Sequence, residues 1–335
     1  MKEILQQTAE MVEVNRKLLK KSMFWEISSN SYAIMGGMLC TAKGENADVA
    51  KYKACKKIIN KNVSIFSEIR GISKAVVASK MMLNEEPEKY LTGVMAVYKK
   101  LRSLHKLTAS PFMVMAAMNI YEHAGVEGAD ADIEKLEELY KGLKKQHPLL
   151  ISDSDRGYLS MLICSGINIQ DTVEEIEKTY EACKGISIMS NTVHTLSQVL
   201  ALSASPADEK SEFVQTMVKG LKQAGIPISK QYGLAAIGAL ETLHMPASTL
   251  IEDIVEVDNY LKTSRGFRWY NTGRRLRRSY AALIVFMSYA LDKRSDVAKS
   301  ISENIVITIV EEIIMMIVIM MLCSSVSSSS GSSSN

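Results

Sequence analysis

Apolar and polar positions along this chain follow two patterns that return together about every 40 residues. Small and apolar segments recur at Tyr32–Gly37, Ser73–Val77, Val114–Met118, Tyr158–Leu162, Thr195–Val199, Gly233–Ile237 and Tyr280–Ile284. Each of the first six is followed by a charged amphipathic stretch with its own anchor, at Tyr52, Tyr98, Tyr140, Tyr180, Val218 and Asn259. Two landmarks stepping in parallel predict a stacked series of helical hairpins. In each hairpin the first helix is apolar nearly all round. The second carries one apolar stripe, as at Ile133, Leu136, Leu139, Tyr140 and Leu143.

The predicted pairs are 28–42 with 48–62, 72–83 with 88–104, 111–124 with 132–146, and 155–165 with 171–184. They continue as 192–203 with 208–224 and 231–243 with 248–263, and a seventh pairs 274–292 with a helix starting near Asp296. Punctuation agrees: Ser154, Ser190 and Ser248 stand where N-caps belong, and Pro87, Pro206 and Pro246 precede second helices. Gly185, Gly225 and Gly266 follow them, where left-handed caps are expected. The fold class is therefore all-α, an array of about seven helical hairpins in a curved α-solenoid, with a closed α/α toroid as the alternative. Residues 1–300 form the repeat domain, opened by an amphipathic helix with Ile4, Leu5, Met11, Val12, Leu18 and Leu19 on one side.

The C-terminus departs from the pattern. Residues 301–323 read as an apolar helix and 324–335 as a disordered Ser-rich tail. The run from Ile305 to Cys323 is interrupted by Glu311 and Glu312, short of the roughly 20 apolar residues that span a bilayer. Capping the array or joining an oligomer is the plainer role for this helix, and membrane contact is the alternative.

Composition narrows the function classes. A net charge of +3 gives no global attraction to nucleic acid or anionic membrane. Five cysteines without a CxxC pair read as buried thiols of a reducing cytoplasm, neither a disulfide frame nor a metal site. Gly36-Gly37 has no phosphate-loop context and reads as close helix packing. The histidines lack ligand spacing, and His194, in the first turn of an apolar helix, reads as a core imidazole. No metal and no cofactor is expected.

The strongest local anomaly is Arg265–Arg278. It holds six of the eleven arginines together with Phe267, Trp269 and Tyr270. Arg274, Arg275, Arg277 and Arg278 crowd a helix start, where the macrodipole already favours anions. The competing reading is a structural network with Glu252, Asp253, Glu256 and Asp258 of the preceding helix. A second set lies where first helices begin: Glu26, Asn30, Glu68, Arg70, Asp153, Asp155, Arg156, Asn191, His194, Gln231 and Tyr232. In a curved array these points share one rim. Glu68, Asp153 and Asp155 would supply acid and base if the array closed around an acidic pocket.

The order of several stretches resembles a known family. They are Asn15-Arg16…Phe24-Trp25-Glu26, Ile65–Gly71, Gln146-His147-Pro148, Leu196–Leu202, Val255–Asp258 and Gly266-Phe267…Gly273-Arg274-Arg275…Tyr280-Ala281-Ala282. Together they resemble an uncharacterised group of Gram-positive bacteria, domain of unknown function 4003. The resemblance implies an intracellular bacterial helical protein and transfers no catalytic residue.

These readings converge on a cytoplasmic binding or interaction scaffold, with protein or a small anionic ligand as partner rather than nucleic acid. The rim residues expected to hold that partner are Arg70, Asp155, Arg156, Asn191, His194, Tyr232, Trp269, Arg274, Arg275 and Arg277. The alternatives are an enzyme with an acidic pocket in a toroid, and a structural protein that oligomerises or touches membrane through its C-terminal helix.

Overall fold

The computed structural model describes residues 1–23, 29–65, 67–71, 73–105, 110–165, 169–228 and 233–292, with 310, 311, 313–315 and 319. Among these residues every regular element is helical, and the chain is all-α. In chain order the helices are α1 (Glu3–Lys20), α2 (Ser29–Ala42), α3 (Val49–Asn62), α4 (Lys74–Met82), α5 (Pro87–His105), α6 (Pro111–Gln146) and α7 (Asp155–Cys164). They continue with α8 (Ile169–Cys183), α9 (Ser190–Leu200), α10 (Ala207–Gln223), α11 (Gly233–Glu241), α12 (Ala247–Thr263), α13 (Trp269–Thr272) and α14 (Arg274–Ala290).

Burial sorts them into two layers. Every residue of α11 is buried, as is all of α4 after its first residue. A helix with no polar face has to lie inside. The inner layer is α2, α4, the first third of α6, α7, α9, α11 and α14. The outer helices bury a single stripe, and α3 buries only Tyr52, Cys55 and Ile59. Tyr52, Tyr98 and Tyr180 anchor such stripes as predicted. The other three anchors slip by one residue, Tyr140 being half-buried beside buried Leu139. Val218 is half-buried beside buried Met217, and Asn259 is exposed beside buried Asp258.

The third hairpin also differs from expectation. Residues 125–131 are not a connection: α6 runs on to Gln146, broken only at Gly125 (φ 66°, ψ −167°). One glycine in the left-handed region turns the chain, and the residues after it resume the helix at once. The caps are redistributed too. The Asp48 and Ser110 side chains accept from the N–H groups of Lys51 and Met113, whereas Ser154 makes no capping bond and Ser190 and Ser248 already lie inside helices. Gly225 takes the left-handed conformation (φ 77°), but Gly185 and Gly266 sit in 3-10 turns.

Of the two predicted arrangements, the contacts fit the closed one. α1 packs against α2, α12 and α14, joining the first hairpin to the last. Lys2 donates to Asp253 at 2.9 Å and to the Tyr289 hydroxyl at 2.6 Å. The Met1 amino group lies 3.3 Å from Glu256. At the other end of this seam, Asn30 donates to the Gly266 carbonyl (2.8 Å) and to Thr272 (3.0 Å). The Arg16 guanidinium covers Gly266 so closely that a Cβ there would stand 2.2 Å from its Cζ. α1 thus fills the outer place beside α14. The partner helix predicted to begin near Asp296 starts outside the described residues.

The α1–α2 contact depends on absent side chains. A Cβ at Gly37 would meet the Arg16 nitrogen at 2.9 Å and the Val12 oxygen at 3.0 Å, both backbone atoms. A flexible side chain could yield; the α1 backbone cannot without shifting the helix. Gly37→Ala is therefore expected to destabilise by about 1–2 kcal/mol despite alanine's higher helix propensity. Urea unfolding checks this, and a stabilising alanine would mean that the helices are less closely packed.

Six residues of the apolar C-terminal run are described, and all six are buried. Val310, Glu311, Ile313, Ile314, Met315 and Ile319 are at most 1% exposed. Glu311 lies 2.6 Å from Lys80 on α4 and 4.0 Å from Lys43 at the end of α2. These residues sit against the inner layer, so at these positions the segment is core rather than an outward anchor. The remainder of 301–323 and the Ser-rich tail lie outside the described residues. Among the described residues, no helix is long and apolar enough to cross a membrane.

Candidate functional site

Alternating inner and outer helices place all outer-to-inner connections on one rim. The Arg265–Arg278 segment forms its section at the seam. There the arginines divide by helical phase. Arg277, three residues before buried Tyr280, turns inward and is 5% exposed. Its Nε and Nη2 donate to the two oxygens of Asp258 at 2.7 and 3.3 Å. Lys262 approaches the same carboxylate at 3.2 Å.

The remaining acids of α12 are engaged elsewhere or stand apart. Asp253 and Glu256 serve Lys2 and the Met1 amino group, and Glu252 faces solvent. The predicted neutralising network thus accounts for Arg277 alone. Arg278 donates to the carbonyls of Pro227 (3.0 Å) and Gly225 (3.3 Å). Desolvation lowers its pKa, and the neighbouring Arg277, Arg274 and Arg275 charges push the same way, against Asp258. Arg265, Arg268, Arg274 and Arg275 are exposed, and among the described residues none has a carboxylate partner. Beside them Trp269 and Tyr270 are 66% and 53% exposed, edge to face with centroids 5.8 Å apart. Four open guanidinium groups and two open rings leave this section without protein partners for its charge.

The other predicted rim residues resolve differently. Arg156 is buried, held by both oxygens of Glu137 (2.6 and 3.1 Å) and by Asp153 (2.6 Å), with its guanidinium 3.6 Å from the Tyr140 ring centroid. Nothing of it is left to bind a partner; it is a structural clamp. Arg70 donates to the carbonyls of Asn60 and Val63 and fastens the end of α3. Asn191 is exposed, and its main-chain oxygen accepts from Thr195. Tyr232, Glu26 and Gln231 lie outside the described residues.

Asp155 and His194 meet through Gln198, whose amide donates to Asp155 Oδ1 and to His194 Nδ1, each at 2.8 Å. An accepting Nδ1 leaves the proton on Nε2. His194 is 1% exposed, and burial pulls its pKa down to about 4; Asp155 opposes that shift and His147 reinforces it. It is a neutral core imidazole at pH 7, packed 5.8 Å from His147 and 5.7 Å from Tyr180 between ring centroids. His147 in turn bonds Glu177 at 2.7 Å. The acid–base set expected from sequence does not assemble: Asp153 serves Arg156, Asp155 serves Ser152 and Gln198, and no contact joins either to Glu68. Burial raises the Glu68 pKa.

A second polar group lies beyond the sequence expectations. At the opposite rim Lys80 lies between Glu122 (2.8 Å) and Glu311 (2.6 Å), and the Tyr90 hydroxyl donates to Glu122. These residues line a cavity of about 410 Å³ with Lys43, Leu83, Asn84, Tyr121 and Gly125. Lys80 is 5% exposed, yet its pKa is raised, because the two carboxylates outweigh the desolvation that would lower it. The sequence does carry a signal for this group: each of these charges stands in an otherwise apolar helical stretch.

The buried thiols offer no nucleophile. Burial pushes Cys40 up to about 12, with help from Glu45 and Glu311, and pushes Cys55 up to about 11. Among the described residues no group of three or more His, Cys, Asp or Glu could hold a metal ion.

Comparison with known proteins adds one finding. The model of a family described as a protein of unknown function (DUF4003) matches residues 15–321. No curated protein and no solved structure matches the chain.

Proposed function

For a chain that belongs to the DUF4003 family of proteins of unknown function, we propose a binding scaffold that holds an anionic partner on the rim at Arg265–Arg278. The observation that carries this reading is the division of the arginines. Arg277 is spent on Asp258, while Arg265, Arg268, Arg274 and Arg275 are exposed with no carboxylate partner among the described residues. Like charges crowded on one exposed section repel one another and concentrate counter-ions there, which favours an anionic partner. The first N–H groups of α14 add their dipole to Arg274 and Arg275, and Trp269 and Tyr270 provide faces for apolar parts of the partner. A cytoplasmic location suits the buried free thiols Cys40, Cys55 and Cys183. The acidic-pocket enzyme has less support, since Asp153 is held by Arg156, Asp155 is engaged by Ser152 and Gln198, and no contact joins either to Glu68.

Trp269 makes the site directly observable. Titration with inorganic tripolyphosphate at low salt is expected to change tryptophan emission. The double variant Arg274→Gln/Arg275→Gln is expected to weaken binding by about tenfold or more, the scale of two lost charge-assisted hydrogen bonds. Equal affinities for the two proteins would remove Arg274 and Arg275 from the site.

A further inference from the structure

The rim that carries the arginines also carries most of the exposed apolar side chains. Nine large hydrophobic residues are exposed among the described ones, and only Met1 and Val14 lie elsewhere, on α1 and just before it. Ile65 stands between α3 and α4, Leu104 at the end of α5, and Leu149 between α6 and α7. The Ile188–Met189 pair precedes α9, and the Trp269–Tyr270 pair precedes α14. Single exposed apolar residues are ordinary on protein surfaces. Their segregation to one side is not. Leu149 and Ile188 are 97% and 101% exposed, standing clear of the fold on connection tips.

Charge follows the same division. The last turns of five outer helices are basic, with Lys17 and Lys20 in α1, Lys61 in α3, Lys144 and Lys145 in α6, Lys222 in α10 and Lys262 in α12; the last turn of α8 carries none. Their first turns, on the opposite rim, bring acids such as Glu88, Asp171, Asp208 and Glu209. Complementing helix dipoles explains the lysines and acids. It does not explain the aliphatic and aromatic tips between the lysines, nor the open arginines at the seam. Of the acids on the basic rim, Asp153 is half-buried and held by Arg156, Glu68 is half-buried, and Glu181 is exposed and paired with Lys184.

We propose that this rim is a membrane-docking face, which seats the ring on the surface of an anionic phospholipid bilayer. The apolar tips sit among the headgroups and upper acyl chains, and the lysines and arginines lie against lipid phosphates. The tips come from five connections spread around the ring, so they address a plane. A peptide would need them gathered in one groove. Trp269 and Tyr270, each with an apolar body and a polar edge, are suited to the headgroup level. This inference rests on the anion-binding reading of Arg274 and Arg275 and identifies the anion as a lipid headgroup.

Co-sedimentation of the full chain with phosphatidylcholine vesicles, with and without phosphatidylglycerol, tests it. The protein is expected to sediment only with the anionic vesicles, and less as salt rises. Leu149→Ser/Ile188→Ser removes two fully exposed tips with no packing role, and circular dichroism verifies that the fold is kept. It is expected to lower vesicle partitioning by about tenfold or more, as Arg274→Gln/Arg275→Gln does. Absence of sedimentation with anionic vesicles would overturn the proposal, as would partitioning that the Leu149/Ile188 variant leaves unchanged. If tripolyphosphate still binds in either case, the arginine site stands and its partner is a soluble anion or an acidic protein. Sedimentation that depends on Leu149 and Ile188 but not on Arg274 and Arg275 would overturn the assignment of a lipid headgroup to the arginine site.

Discussion

Lys80→Met is expected to destabilise the protein by about 3–5 kcal/mol, the cost of removing one partner from a buried ion network. The Lys80 and Glu311 side chains are 5% and 2% exposed and that of Glu122 19%, so the methionine would leave two carboxylates facing each other with limited access to water. Lys43, 4.0 Å from Glu311, offsets part of this, and taking up a proton relieves the rest, which moves that cost into the pH dependence. The triple variant Lys80→Met/Glu122→Gln/Glu311→Gln leaves no buried charge and is expected to recover most of the loss. Tyr90 donates to Glu122, and an amide oxygen introduced at that position can still accept, so this hydrogen bond survives neutralisation. Urea unfolding of the single and triple variants measures both. A loss below about 1 kcal/mol for Lys80→Met would mean that water reaches the network freely. The sign for pH is simple. Lys80 has a raised folded pKa, so its contribution is complete below the ordinary lysine value of 10.5 and fades as pH rises through the folded value. Neutral and mildly basic buffers should therefore not disturb it.

Acid should act through His194. Its folded pKa is about 4 against an ordinary 6.5. The unfolded chain therefore binds a proton in that window while the folded one resists. Stability is complete above pH 6.5 and falls as pH drops toward 4, by roughly 2–3 kcal/mol between about pH 7.5 and 4.5 from this side chain. His194→Gln cannot take up a proton and should flatten that part of the curve, even if it is less stable at pH 7. Denaturant unfolding at both pH values for the two proteins isolates the difference. Parallel losses would show that other groups carry the acid sensitivity.

Much of this fold is legible in the sequence because helical periodicity is a local property. Most of the predicted helix spans correspond to helices that differ by a few residues at their ends, and Gly36-Gly37 marks close packing in both. What is not legible depends on neighbours far along the chain. Whether the array closes is decided by α1 meeting α12 and α14, contacts that no repeat encodes. The Lys80 network needs Glu311, which in sequence reads only as an interruption of an apolar run. The arginine cluster is half legible. Its position is plain, but which member pairs with Asp258 follows from the phase of α14 relative to Tyr280. Arg156 fails as a binding residue because Glu137, Asp153 and the Tyr140 ring claim it from three directions.

The seam sets an order of events in the life of the chain. Hairpins can form and stack as they leave the ribosome, since each needs only its neighbour. α1 is made before the helices it packs against and is satisfied last. Its partner Asp253 is 251 residues downstream of Lys2, and α14 follows later still. Until those helices exist, Leu5, Ala9 and Val12 cannot reach their full burial. The growing chain therefore carries an open N-terminal edge through most of its synthesis, a surface that a chaperone or a second nascent copy could cover. Completing the ring is a single long-range step that ends this exposure.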